Sequence, residues 1–289
     1  MIAFFYTFHF NNFTPILMRM KIHFSFTFLS IATLLFSTIP LQGQKQTFES
    51  HDGINISYYD EGKGDPVLLI HGFINTADSW YSTPLKDSLL ANGYRVIIPD
   101  LRGNGDSDKP KKDKYYKNRA ERKDLLYLMK HLKIKNYKVV AYSRGSIVLA
   151  DLLKVAKDKI TIAVLGGMGD AFTNPEWKTP KEFAKAFAGK EDKYPNAAGA
   201  INYAKSINAD LNSLSLQQAF QPTTTAEDWI MISTPILLLN GEQDDSNGSK
   251  EGLDKLIPNS KLKFVPGDHN TCYRTVPFAV EALNFLKTQ

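Results

Sequence analysis

The sequence predicts an α/β chain: a doubly wound, mostly parallel sheet with helices on both faces and a helical cap inserted after the sixth strand. Three observations lead there. Six continuous apolar runs, at residues 66–70, 95–98, 137–142, 160–165, 235–239 and 262–265, read as strands buried on both faces, as a parallel sheet requires. Stretches with apolar residues at helical spacing alternate with them, at 85–91, 120–132, 147–155, 250–256 and 276–286. From 166 to 233 no buried-strand signal occurs, and a structureless loop of that length inside a compact domain is improbable, so this segment is expected to be a helical insertion.

Each element has its own reason. Residues 47–51 and 54–59 alternate apolar and polar side chains about Asp52-Gly53, a hairpin turn, and are expected to pair antiparallel ahead of the six buried runs. In the stretch 120–132, Leu125, Leu128, Met129 and Leu132 fall on one helix face. The insertion, placed at about 168–233, contains helix-like pieces at 180–188, 197–209 and 212–220, broken by Pro175, Pro195 and Pro222. Its aromatic residues, Phe172, Trp177, Phe183, Phe187, Tyr203, Phe220 and Trp229, are expected to form the core of the cap, with two or three facing a binding site.

The first 43 residues have a different logic. From Met20 a short basic start leads into an apolar run with no charged residue between Ile22 and Gln44, followed by Pro40 and Gly43, the build of a secretory signal peptide. Cleavage is expected near Gly43–Gln44, although Leu41 fits the −3 position poorly, and Met18 or Met20 is a candidate start. The chain would then be periplasmic or secreted, without stable membrane insertion. The alternative is an uncleaved leader acting as an anchor, since the run approaches the roughly 20 residues that span a bilayer. The rest, residues 44–289, is expected to be one domain.

Composition closes off other classes. With 289 residues, 43% hydrophobic and 22% charged, and a single cysteine, the chain is neither disordered, collagenous nor disulfide-stapled. Cys272 cannot close an intrachain bridge, and no Cys/His cluster has zinc spacing, so no metal or cofactor is expected. The net charge of +5 includes Arg19 and Lys21 of the leader, leaving a mild excess of +3 without it. The densest basic run, Lys109, Lys111, Lys112, Lys114 and Lys117, is interleaved with Asp106, Asp108 and Asp113, which favours a solvated loop over a nucleic-acid surface.

The chemistry concentrates at strand ends. Ala141-Tyr142-Ser143-Arg144-Gly145 follows one strand and precedes a helix; His71-Gly72-Phe73 follows the strand at 66–70; Pro99 to Ser107, with Asp100, Arg102, Gly103 and Gly105, follows the next. In this order and context the sequence resembles the α/β-hydrolase fold superfamily, serine esterase and lipase-like branch, whose nucleophile elbow reads Gly-x-Ser-x-Gly. Ala141 stands where the family has its first glycine. The resemblance implies that Ser143 is the nucleophile and that the backbone N–H groups of Phe73 and Arg144 form the oxyanion hole, with His71 bracing the loop. A serine needs a base, and imidazole suits that task at neutral pH. Of six histidines, His9 and His23 lie in the leader, His51 in the hairpin and His131 near a helix end, whereas His269 follows the last strand, where the family keeps its base. For the acid that orients it, the family's Gly-x-x-Asp spacing after the strand 235–239 selects Asp244, with Asp245 and Asp170 as alternatives.

These readings imply acyl transfer to water, with a carboxylic ester or related small acyl compound as substrate. With Ser143 at the elbow the chain looks unlike haloalkane dehalogenases and epoxide hydrolases, which place a carboxylate there. An aminopeptidase, lactonase, cofactor-free perhydrolase or carbon–carbon bond hydrolase would use the same residues, although the tryptophan that marks proline iminopeptidases after the serine is missing. A non-catalytic binding protein of the same fold is the alternative from another class. The Arg144 side chain is expected to be held by a carboxylate or solvent, or else to reach an anionic substrate group.

Overall fold

The computed structural model describes residues 43–288; the leader, apart from Gly43, lies outside the described residues. Eight strands form one sheet: β1 (Gln46–Glu49), β2 (Asn55–Glu61), β3 (Pro66–Ile70), β4 (Arg95–Pro99), β5 (Tyr137–Tyr142), β6 (Ile160–Gly166), β7 (Ile236–Gly241) and β8 (Ser260–Val265). Their order is β1-β2-β4-β3-β5-β6-β7-β8. β1 and β2 pair antiparallel, β2 meets β4 antiparallel, and every later pairing is parallel.

The parallel strands β3 to β7 are buried on both sides because two helical layers divide their side chains by parity. The strand β8, expected to be buried on both faces, instead leaves Lys261, Lys263 and Phe264 exposed, because it lies at the edge of the sheet. Leu68, Ile70, Val139, Ala141, Ala163, Leu165, Ile236 and Leu238 point into one core with α3 (Ala120–His131), α4 (Arg144–Ala156) and α9 (Lys250–Leu256). Val67, Leu69, Val140, Ile162, Val164, Leu237 and Leu239 point into the other with α1 (Asp78–Tyr81), α2 (Pro84–Ala91) and α10 (Val276–Leu286). Neighbouring residues on one strand thus stabilise opposite layers, and burying each such side chain contributes about 1.5–3 kcal/mol.

Between β6 and β7 run α5 (Thr179–Lys185), α6 (Ala198–Ser206), α7 (Leu211–Ala219) and α8 (Ala226–Ile230). The first three surround a small core of their own, Ala186, Phe187, Ala197, Ile201, Ala204 and Leu214, joined by Ile74 from the loop after β3. The expected helical pieces occur within a few residues of their predicted bounds. Two short helices, α1 and α8, were not expected; at four and five residues they are too brief for an apolar period. Helix α4 begins at Arg144, immediately after Ser143, three residues before the apolar period suggests.

The basic run is a loop with one 3₁₀ turn at Asp113–Tyr115, and three of its charges have polar partners: Lys111 has Asp210, Lys117 has Asp113 at 3.7 Å, and Lys109 has the carbonyls of Gly105 and Ser107. Among the described residues no helix is long and apolar enough to cross a membrane.

Candidate active site

After β3 the chain steps to β4 on one side and then to β5 on the other, so the connections leaving β3 and β5 diverge and open a crevice above their C-terminal ends. Both ends carry the singled-out residues. Ser143 occupies the turn between β5 and α4 with φ 53° and ψ −126°, a left-handed conformation that strains a residue bearing a Cβ. The turn is held by Ser143 N–H donating to Gly166 O at 2.8 Å, and by Ser146 donating its N–H to Ser143 O at 2.8 Å and its hydroxyl to Gly166 O at 2.9 Å. The small residue two places on is required. A Cβ on Gly145 would lie 2.6 Å from the carbonyl oxygens of Ile70 and His71, where neither backbone can retreat.

The loops after β7 and β8 are tied to each other. Glu242 N–H donates to Val265 O at 2.9 Å, Gln243 N–H to Gly267 O at 3.1 Å, and Gly267 N–H returns to Gln243 Oε1 at 2.9 Å. Asp268 Oδ1 accepts from the N–H groups of Asn270 and Thr271, both at 2.9 Å, folding the chain tightly around His269. The His269 ring then bridges the site, with Nε2 2.9 Å from Ser143 Oγ and Nδ1 2.9 Å from Asp244 Oδ2.

Asp244 is buried and its other oxygen, Oδ1, accepts from Ser246 N–H at 2.9 Å. Burial would raise its carboxyl, but the His269 hydrogen bond and charge, the Ser246 N–H and the Lys250 ammonium together outweigh that and hold it below the usual aspartate value. An ionised carboxylate only accepts, so Nδ1 of a neutral His269 carries the proton and Nε2 is left as the acceptor for the Ser143 hydroxyl. The arrangement can take a proton from serine and stabilise the resulting imidazolium.

His71 plays a different part. Its Nε2 accepts the Leu101 N–H at 3.0 Å and its Nδ1 donates to Gly72 O at 2.8 Å, joining the loops after β3 and β4, and burial lowers its pKa. This brace brings Gly72 against the elbow, where an added Cβ would stand 3.2 Å from Ser143 Cβ. Among the described residues, the N–H groups of Phe73 and Arg144 have no acceptor. The second is the first N–H of α4, where the helix presents partial positive charge. The Arg144 side chain turns away to Glu121, with Nη1–Oε1 2.8 Å and Nη2–Oε2 2.6 Å, and Nη2 also donates to Gln217 O in the cap at 3.0 Å.

The cap and the strand ends enclose a cavity of about 650 Å³ that opens onto Ser143 and His269. Trp177, Phe183 and Tyr203 of the cap line it with Phe73, Ile74, Ile147 and Met168. The remaining cap aromatics serve elsewhere: Phe172 packs edge-on to Trp229 below the cap, Phe187 belongs to its core, and Phe220 lies under Lys117. The cavity is of small-molecule size, and among the described residues no Asp or Glu lines it.

The two alternative acids do not reach His269. Asp245 is exposed, and Asp170 accepts from Ser249 N–H at 2.9 Å at the start of α9. Two participants escaped the sequence reading. The Tyr142 hydroxyl donates to His269 O at 2.8 Å, and Lys250 lies beneath Asp244; nothing in their local sequence separates them from an ordinary strand residue and an ordinary helix start. One further group of metal-ligand types, His51, Asp52 and Asp124, is already bridged by a cation, with the Arg102 guanidinium 2.9 Å from Asp52 Oδ2 and 2.5 Å from Asp124 Oδ1.

Residues 65–190 match the family model for the alpha/beta hydrolase fold. A non-heme haloperoxidase of Rhodococcus erythropolis is 28% identical over 255 residues, spanning 76% of this chain and 91% of the relative. Among solved structures, a bromoperoxidase from Bacillus anthracis superposes with a TM-score of 0.65 at 25% identity, covering 84% of this chain and 100% of that one. The esterase EaEST from Exiguobacterium antarcticum superposes with a TM-score of 0.71 at 18% identity, over 84% and 100%.

Proposed function

The chain belongs to the α/β-hydrolase fold superfamily, and from that premise we propose that it is an exported serine hydrolase that cleaves a carboxylic ester through an acyl-enzyme. The observation that carries this reading is the unbroken series Ser143 Oγ, His269 and Asp244, with 2.9 Å at each step, beside two N–H groups without acceptors among the described residues. Ser143 attacks the carbonyl carbon while His269 Nε2 takes its proton, and Asp244 stabilises the imidazolium. The carbonyl oxygen gains negative charge and is received by the N–H groups of Phe73 and Arg144. His269 returns the proton to the departing alcohol, then draws one from water as the water oxygen attacks the acyl carbon, and gives that proton to Ser143 Oγ as the acid leaves. Export rests on the leader's apolar run. The apolar lining contributed by Trp177, Phe183 and Met168 suits a hydrophobic acyl or alcohol group.

Incubation with a fluorophosphonate probe tests the reading: wild type is labelled and Ser143→Ala is not. A folded wild type that stays unlabelled favours a binding protein instead. The likeness to haloperoxidases supports a second reaction of the same acyl-enzyme, attack by hydrogen peroxide rather than water to give a peracid. Peroxide-dependent halide oxidation in the presence of a short carboxylic acid, lost in Ser143→Ala, would identify it.

A further inference from the structure

Lys250 breaks two rules of placement. It is a lysine whose side chain is only 6% exposed, and it stands at the first residue of α9, where the helix's own partial charge is positive. A buried ammonium must be compensated, and Lys250 has two partners: the Ser246 carbonyl, to which Nζ donates, and Asp244 Oδ1 at 3.5 Å. Asp244 is its sole carboxylate partner among the described residues. The Asp244 side chain is itself fully buried. One carboxylate is thus held between two groups, His269 Nδ1 at 2.9 Å on Oδ2 and a fixed cation on Oδ1.

Arg274, which lines the cavity with His269, is exposed and donates its Nε–H to the Tyr273 hydroxyl at 2.8 Å. The remaining ionisable groups nearby do not supply this charge either. Asp245 and Glu242 on the acid's own loop are exposed, as is Asp268 on the base's loop. Glu251, also on α9, is exposed beside the Ser249 hydroxyl, and Asp170, after β6, faces Ser249 N–H. Tyr142 from β5 and Cys272 beyond His269 keep their protons, both pushed up first by burial.

We propose that Lys250 is a positioning residue that sets the pH range over which Ser143 is reactive, by offsetting part of the Asp244 charge that His269 feels. With the ammonium in place, protonating His269 is less favourable, so the imidazole remains a base at lower pH. Lys250 also fixes Oδ1, directly and through the turn at Ser246, so that Oδ2 faces the ring. The inference rests on the serine-hydrolase reading.

The test is the rate of fluorophosphonate labelling of the full chain between pH 5 and 9, for wild type, Lys250→Arg, Lys250→Gln and Lys250→Met. Both neutral variants should move the midpoint of the rise upward by about half to one pH unit, and Lys250→Arg should restore it. Gln can still donate to the Ser246 carbonyl, so it separates the charge from the hydrogen bond. A folded neutral variant with an unmoved midpoint, or an Arg variant that shifts as far as Met, overturns the proposal. So does failure of both neutral variants to fold while Arg folds, which would make the role purely structural. Absence of Ser143-dependent labelling in wild type instead sinks the serine-hydrolase reading itself.

Discussion

Arg144 and Glu121 face each other fork to fork, with Nη1 donating to Oε1 at 2.8 Å and Nη2 to Oε2 at 2.6 Å, almost out of contact with water. The pair joins the first residue of α4 to the first turn of α3, and through Gln217 O it reaches the cap. The Arg144 side chain is therefore engaged by Glu121 and the cap, and the pair anchors the backbone at the start of α4. Glu121→Ala would leave a buried guanidinium with one carbonyl partner. Breaking such a pair typically costs about 3–5 kcal/mol, which a urea titration would register as a lower midpoint. A loss below about 1 kcal/mol would mean that the cavity already solvates Arg144.

Substitutions in the series from serine to acid should be graded. Ser143→Ala or His269→Ala should each lower turnover of a nitrophenyl ester by about 10⁶-fold, and Asp244→Asn by about 10⁴-fold. Asp245→Asn and Asp170→Asn, whose side chains face solvent and the start of α9, should stay within a few-fold of wild type. Equal damage from Asp245→Asn and Asp244→Asn would contradict the assignment of the acid.

The pH profile of kcat/KM has a determined sign. His269 acts as a base only when unprotonated, so the rate should rise with pH. A profile that is flat from pH 5 to 8 would show that His269 does not take the Ser143 proton in the limiting step.

What the sequence could and could not convey follows from the physics of each element. The inner parallel strands, β3 to β7, are buried on both faces and so stand out as largely apolar runs, whereas the edge strand β8 carries exposed Lys261 and Lys263, and α1 and α8 span little more than a turn and present no period. Ser143 could be singled out by its strand–turn–helix context, and His269 only by its place after the last strand, since His71 also follows a strand end. Asp244 and Asp245 are neighbours with the same chemistry, and only the fold turns one inward and leaves the other in water. Lys250 was invisible, since a lysine in the first turn of a polar helix ordinarily points to solvent; its burial depends on where the loop after β7 lays the Asp244 carboxylate. The division of the cap aromatics between cavity and core likewise depends on how the helices dock.

Stability in acid should reflect the same carboxylate. The Asp244 carboxyl is held below its ordinary value in the folded chain, so its contribution is present above the unfolded value of about 3.9 and is lost as pH falls through the lower folded one. Asp244→Asn should be less stable than wild type at pH 5.5, and the gap should narrow at pH 3. Every other carboxylate is common to both chains and cancels. A gap that widens toward pH 3 would reverse the sign of the shift.

Strain at the elbow gives a prediction independent of catalysis. Ser143 holds φ 53° with ψ −126°, a region in which any side chain beyond hydrogen costs about 1–3 kcal/mol. Ser143→Ala and Ser143→Gly both remove the hydroxyl and its contact with His269, so they differ only in the Cβ. Glycine relieves the strain but gives the unfolded chain more freedom, a loss of about 0.4–1 kcal/mol. The balance favours glycine by about 1 kcal/mol, or about 2–4 °C in Tm for a domain of this size. Both variants should be inactive, and Ser143→Gly should unfold at the higher urea concentration with the same m-value. If glycine is no more stable than alanine, the strain stored in the turn between β5 and α4 does not exceed the roughly 0.4–1 kcal/mol that glycine loses through the unfolded chain.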